Sequence, residues 1–141
     1  MKFWDSSAIV PLVVPETRSS SMLDIVRSDP SLVLWWATPV ECQSAVFRRH
    51  RDGALAREQL GTFIERLRWM LQAAVEIIPT EEVRAKAARL LGVHALRAAD
   101  ALQLAAALVW CEEQPQGEVF VSLDGRVRDA ARREGFSVLP E

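Results

Sequence analysis

Four acidic residues lie at positions where a carboxylate is unusual. Asp5 follows a short apolar run, Asp124 follows another, and Asp100 lies in a helix-like segment of small and aliphatic residues. Glu41 comes shortly after a third apolar run. Asp is a poor residue for a helix interior, and acidic side chains are rarely buried unless they are paired or liganded. As a set, the four acids suggest one shared acidic site.

Each acid also has a purely local interpretation. Asp5 and Asp124 are suited to cap the helices that follow them, and Asp124 is equally suited to an Asx turn. The run 38–41, Thr-Pro-Val-Glu, is a capping box as it stands, with Glu41 as its reciprocal partner. Asp100 would be favoured by the helix dipole if it lay in a first turn. The residues alone leave both interpretations open.

Crowded carboxylates imply a particular chemistry. They raise one another's pKa values unless a cation is present, and a set of oxygen ligands selects a hard divalent ion such as Mg²⁺ or Mn²⁺. Such a site can deprotonate a water and stabilise charge on a phosphodiester. Arginines close to the acids in sequence, among them Arg97 and Arg126, are candidates to hold phosphates. For most arginines, a solvated helix face is the simpler interpretation.

Several other chemistries lack their residues. The chain has no G-x-G-x-x-G, no P-loop and no G-x-S-x-G motif. Its two histidines, His50 and His94, have no partner at zinc-ligand spacing. An Asp at a strand end also marks phosphoaspartyl phosphatases, but these need a second Asp where this chain has Ser7, and a later Lys. The chain has only one Lys after Lys2.

Composition indicates one globular domain over residues 1–141, because half of the chain is hydrophobic and 26% is charged. The net charge of −2 excludes binding of nucleic acid by bulk charge, although most basic residues are Arg, which suits local phosphate contacts. Cys42 and Cys111 are expected to be buried, reduced thiols. With no signal peptide and no apolar stretch long enough for a membrane span, we predict a cytoplasmic protein that does not bind membranes.

Short apolar runs alternate with helical segments. Strands are predicted over 2–5, 32–36, 75–78, 118–122 and 136–139, and helices over 6–14, 16–27, 38–52, 54–73, 80–92, 96–113 and 124–134. Strands separated by helices favour right-handed crossovers. The fold prediction is therefore α/β, a three-layer α/β/α sandwich with a mainly parallel sheet of roughly five strands. Ligands of such sheets bind beyond the carboxyl ends of the strands, where Asp5 and Asp124 lie.

The sequence resembles a known family of proteins. Four segments are similar, in order, to PIN-domain ribonucleases and specifically to the VapC toxins of type II toxin–antitoxin pairs: 3–8, 38–41, 96–105 and 120–124. The segment from Arg97 to Ala105 is the most specific of them. The resemblance implies a PIN-like fold and metal-dependent endoribonuclease activity.

The resemblance also implies roles for individual residues. The catalytic carboxylates would be Asp5, Glu41, Asp100 and Asp124. Asp5 and Asp100 would be the principal Mg²⁺ ligands, and Ser6 would assist them. Glu41 is then expected to serve the site rather than the capping box, because Thr38 can cap the helix through its own hydroxyl.

The partners follow from the same resemblance: an RNA substrate, a VapB-like antitoxin and a second copy of the chain. Five Trp residues give the chain much apolar surface. Four residues of the long helix are expected to cover the core, namely Leu60, Phe63, Ile64 and Trp69, and the remaining apolar surface is expected to meet a second subunit or the antitoxin. The alternative function is a PIN-fold binding module that no longer cleaves and acts only through its partner.

Overall fold

A computed structural model describes all 141 residues of the chain. Strands and helices alternate almost throughout. The strands are β1 (Lys2–Trp4), β2 (Leu32–Trp35), β3 (Val75–Ile77), β4 (Val119–Val121) and β5 (Ser137–Leu139). The helices are α1 (Ser6–Val13), α2 (Ser19–Ser28), α3 (Thr38–Arg51), α4 (Arg57–Leu71), α5 (Glu81–Val93), α6 (Ala98–Trp110) and α7 (Gly125–Glu134).

The five strands form one sheet in the order β3-β2-β1-β4-β5, and every pairing is parallel. The central strand is β1, where Phe3 is in register with Val33 of β2 on one side and with Phe120 of β4 on the other. The chain builds the sheet outwards from β1 in one direction and then returns to add β4 on the other side. The topological switch point therefore lies between β1 and β4, and the parallel α/β prediction is confirmed.

Side chains that alternate along the strands bury two separate cores. Phe3, Val33 and Phe120 belong to a cluster with α5, α6 and α7. Trp4, Leu34 and their neighbours belong to a second cluster, with helices α1 to α4. The helices thus cover both faces of the sheet, which gives the predicted α/β/α layers.

The predicted elements are all present, with shifted ends. Helix α2 begins at Ser19 rather than at residue 16, because Ser19 uses its hydroxyl to bond the loop at Val14 and Glu16. Helix α6 ends at Trp110, since Glu112 and Glu113 adopt left-handed backbone angles. None of the helices has the length and apolar character needed to cross a membrane.

Trp69 corrects one expectation about the core. Phe63, Leu67 and Leu71 form the buried stripe of α4, with Leu60 and Ile64 partly buried beside it. Trp69 follows Leu67 by two residues, about half a helical turn, and therefore lies on the opposite face with 77% of its surface exposed. Of the two cysteines, which are both free, Cys42 is buried and Cys111 is only partly buried.

Candidate active site

Asp5 joins the two strands at the switch point. Its backbone N–H donates to the carbonyl of Val121 at the end of β4 (2.9 Å). Its Oδ2 accepts a hydrogen bond from the Ser122 hydroxyl (2.9 Å), a second from the Ser7 hydroxyl and a third from the Ser7 backbone N–H (3.3 Å). The last of these caps α1. Asp5 therefore has the local capping role and a place at the strand ends at the same time.

Burial dominates the electrostatics of Asp5, whose surface is only 4% exposed. Desolvation, with a smaller contribution from the nearby charge of Glu41, raises the pKa of Asp5 from an ordinary 3.8 to about 6. The hydrogen bonds from Ser7 and Ser122 act in the opposite direction. The net effect is a carboxyl group that keeps its proton to a higher pH than an ordinary Asp does.

Glu41 projects from the first turn of α3 and does not complete a capping box. Its Oε2 accepts hydrogen bonds from the Ser6 hydroxyl and from the Gln103 amide, both at 3.0 Å. The expectation that Thr38 caps this helix is wrong: α3 begins at Thr38, and Ala37 is the N-cap without a side-chain bond. The Thr38 hydroxyl is instead fully buried against Gln103.

Gln103 is a site residue that the sequence analysis missed. Its amide Nε2 donates to Glu41 and to the Thr38 hydroxyl, each at 3.0 Å, and its side chain is 1% exposed. It lies one turn after Asp100 on α6 and so ties that helix to α3. A signal was available, because Gln103 is the one polar residue in the stretch 101–110. Ser7 and Ser122, the partners of Asp5, were likewise missed.

Asp100 and Asp124 also lie at helix starts. Asp100 is in the first turn of α6, where its Oδ2 accepts from the Arg97 backbone N–H (3.3 Å). Asp124 is the N-cap of α7, and its Oδ1 accepts from the N–H groups of Arg126 (2.9 Å) and Val127 (3.1 Å). Partial burial raises the pKa of Asp100, the charge of Asp124 adds to this, and Arg97 and Arg126 oppose it.

Two adjoining clefts open above these residues. The larger, of about 690 Å³, is lined by residues that include Ser6, Glu41 and Asp100. The smaller, of about 430 Å³, is lined by Arg97, Asp100, Asp124, Gly125 and Arg126. Asp100 lines both clefts, so the two meet at this carboxylate. Asp5 lines neither cleft and lies beneath them.

The carboxylate oxygens of the site are ligands of the type that hard divalent cations bind. Each uses one oxygen for bonds within the protein and leaves the other without a protein partner; the free atoms are Asp5 Oδ1, Glu41 Oε1, Asp100 Oδ1 and Asp124 Oδ2. Burial and the charge of Asp100 also raise the pKa of Glu41, and a bound cation would relieve this repulsion. No three acidic, histidine or cysteine side chains lie close enough together to form a ready-made metal site. The oxygen ligands are therefore of the right type for such an ion, but the side chains are not grouped closely enough to surround one.

Several solved structures share this architecture at low sequence identity. No family model and no curated protein matches the sequence. FitAcB from Neisseria gonorrhoeae is 18% identical with a TM-score of 0.69, and the match covers 99% of this chain and 97% of FitAcB. PAE2754 from Pyrobaculum aerophilum is 18% identical with a TM-score of 0.64, covering 98% of this chain and 88% of PAE2754.

A third solved structure with this fold is of a protein described by its activity. VapC20 from Mycobacterium tuberculosis, described as a sarcin-ricin loop cleaving toxin, is 15% identical with a TM-score of 0.68. The match covers 92% of this chain and 95% of VapC20. The chain thus has the α/β/α fold of the PIN domain, and the resemblance found in the sequence is confirmed at the level of the fold.

Proposed function

We propose that this protein is a metal-dependent endoribonuclease that acts as the toxin of a type II toxin–antitoxin pair in the cytoplasm. The observation that carries the proposal is the gathering of Glu41, Asp100 and Asp124 around two adjoining clefts, with Asp5 beneath them. The fold, shared with the RNA-cleaving toxin VapC20, supports the same conclusion.

In the proposed mechanism, Asp5 and Asp100 would hold Mg²⁺, or Mn²⁺ in its place, and Glu41 and Asp124 would complete the acidic site. When bound, the ion supplies Lewis-acid stabilisation of the phosphodiester and a lowered pKa for its water. Glu41 has one oxygen free to orient the attacking water and accept its proton, while Ser6 holds the other oxygen. Arg97 and Arg126, which line the smaller cleft, hold phosphates of the RNA backbone.

The proposed partners are an RNA, a VapB-like antitoxin and a second copy of the chain. Exposed apolar side chains provide surface for protein contacts. Trp36 is 55% exposed, Val40 is 68% exposed and Phe47 is 41% exposed, on or just before α3. Val40 also lines the larger cleft, so a homodimer contact on α3 would lie next to the site.

One observation favours a second candidate, a PIN-fold binding module that does not cleave. As the side chains are placed, no three potential ligands are grouped for a metal ion. A protein of this kind would keep the acids for their helix-capping and packing roles and act through its partner alone.

Cleavage of total RNA by antitoxin-free protein separates the two candidates. The assay compares Mg²⁺, Mn²⁺ and a chelator, and compares wild type with Asp100→Asn. Asp52→Asn, an exposed acid outside both clefts, is the matched control. Discrete fragments that require metal and Asp100, and that persist in the control, are the expected result. Absence of cleavage by folded, metal-supplied wild type would favour the binding module.

A further inference from the structure

Three arginines at the clefts have no partner within the protein. Arg48 lines the larger cleft, and Arg97 and Arg126 line the smaller one. All three are exposed. None of their guanidinium groups forms an ion pair or a hydrogen bond with another residue of the chain. They are therefore free to contact an external anion.

Two arginines close to them in sequence, Arg49 and Arg128, are occupied. Arg49, next to Arg48, is paired with Glu16 and donates to the Ala45 carbonyl (3.0 Å). Arg128, two residues after Arg126, donates to the backbone carbonyls of Ser122 (2.7 Å) and Pro140. The structure thus separates arginines that hold the fold together from arginines that remain available.

The three free arginines lie on two sides of the acidic centre. Asp100 is the residue at which the clefts meet, and Arg48 belongs to one cleft while Arg97 and Arg126 belong to the other. The acids between them repel phosphate, so a nucleic acid must be attracted on the flanks. Because the net charge of the chain is −2, bulk attraction is lacking and these local cations must provide it.

We infer that the two clefts form one continuous path for an unpaired RNA strand, with backbone phosphates on one side of the scissile bond held by Arg48 and those on the other side by Arg97 and Arg126. This inference rests on the proposed nuclease function and extends it to the path of the substrate across the two clefts. Guanidinium groups suit phosphate oxygens because they donate two parallel hydrogen bonds. The inference specifies an unpaired strand because the bases of RNA loops and ends are accessible to protein side chains, whereas those of a duplex are not.

The test measures binding without cleavage. A short fluorescent single-stranded RNA is titrated in chelator, over a range of salt concentrations, with wild type and with Arg48→Gln, Arg97→Gln, Arg126→Gln and Arg48→Lys. Arg51→Gln is the matched control, because Arg51 is an exposed arginine of the same helix that lines neither cleft. Thermal unfolding confirms that each variant is folded.

We expect the RNA affinity of the variants to depend less steeply on salt concentration than that of wild type. Each phosphate contact removed from a single strand lowers the slope of log affinity against log salt by about 0.7. Arg48→Gln should therefore lose about 0.7 and bind several-fold more weakly, and Arg48→Lys should recover the slope. Arg48→Gln combined with Arg126→Gln should lose about twice as much, since the two contact different phosphates.

The outcomes for this inference and for the nuclease proposal are distinguishable. If Arg48→Gln binds RNA like the Arg51→Gln control while wild type cleaves RNA, the path is wrong and the nuclease proposal survives. If binding depends on arginines of both flanks but no metal supports cleavage, the path is supported and the nuclease proposal fails.

Discussion

Asp5 is held by groups with opposing effects on its charge. Hydroxyls of Ser7 and Ser122 stabilise the carboxylate, whereas almost complete burial penalises it. Burial is the larger effect, so the ionised form is destabilised at neutral pH in the absence of a cation. Ionised Asp5 therefore destabilises the folded, metal-free protein, and a bound cation would offset this destabilisation.

This predicts an unusual pH dependence of the metal-free protein. The unfolded chain releases the Asp5 proton near pH 3.8, and the folded chain releases it at about pH 6. Between these values the folded state binds more protons, so the contribution of Asp5 to the free energy of unfolding falls as pH rises. We expect Asp5→Asn to be more stable than wild type at neutral pH by roughly 1–3 kcal/mol.

Denaturant unfolding in chelator, at a series of pH values, measures the difference between the two proteins. The difference should grow across the window and then become constant. Parallel pH profiles for wild type and Asp5→Asn would contradict the assignment.

Gln103 provides a second prediction at the residue scale. Gln103→Met keeps the size of the side chain but removes the donor to Glu41 and to Thr38. We expect a loss of about 1–3 kcal/mol in stability and about 10–100-fold in cleavage rate, as for residues that orient metal-site carboxylates.

Thr38→Val is the control, because it removes the Thr38–Gln103 bonds and leaves the Gln103–Glu41 bond in place. Thr38→Val should lose stability with a much smaller loss of rate. Equal loss of rate in both variants would show that packing alone explains the effect.

Some residues of the site could be predicted from the sequence and others could not. The four acids were found from their types and positions. Gln103 lies 62 residues from Glu41, and Ser122 lies 117 residues from Asp5. Such pairs are created by the packing of distant elements, so local patterns carry no information about them. Thr38 was misassigned for the same reason, since its hydroxyl bonds across to α6 rather than to its own helix.

At the scale of elements, three helices begin at acids of the site. Asp5 caps α1, Asp124 caps α7, and Asp100 lies in the first turn of α6. The positive ends of the helix dipoles therefore lie beside the carboxylates and offset part of their repulsion. The capping and catalytic interpretations were treated as alternatives in the sequence, but one oxygen can cap while the other remains free.

Asp124 allows these two roles to be separated. Asp124→Asn preserves a good N-cap and removes the charge, whereas Asp124→Ala removes both. We expect Asp124→Asn to keep its stability and Asp124→Ala to lose about 1 kcal/mol, with cleavage reduced in both. Denaturant unfolding and RNA cleavage on the same preparations provide the comparison. Full activity of Asp124→Asn would remove Asp124 from the catalytic set and leave it as a cap only.

At the scale of the whole molecule, one feature without an explanation inside the chain is the exposed apolar surface on and just before α3. Trp36, Val40 and Phe47 remain exposed and belong to neither of the two buried cores. The number of layers and the parallel strands could be predicted from the alternation of elements. The exposure of these side chains could not, because the periodicity of a helix does not tell which apolar residues the neighbouring elements will reach.

The proposed homodimer predicts a different response at two exposed aromatic residues. Phe47→Glu adds a charge to α3 and should shift the antitoxin-free protein to a monomer in sedimentation velocity. Trp69→Gln, on the exposed face of α4, should leave the association unchanged. A wild type that sediments as a monomer at micromolar concentration would contradict the homodimer.

The order of the strands determines when the acid cluster can form during translation. The central strand β1 is made first, but one of its two neighbours, β4, begins only at Val119. Ser122 and Asp124 follow that strand, so the acid cluster stays incomplete until β4 and these residues have been translated. Long-range strand pairing of this kind is also slow. A nascent chain therefore contains Asp5 and Glu41 before the acid cluster is complete, and we expect any activity of that cluster only after β4 and the residues that follow it have been made.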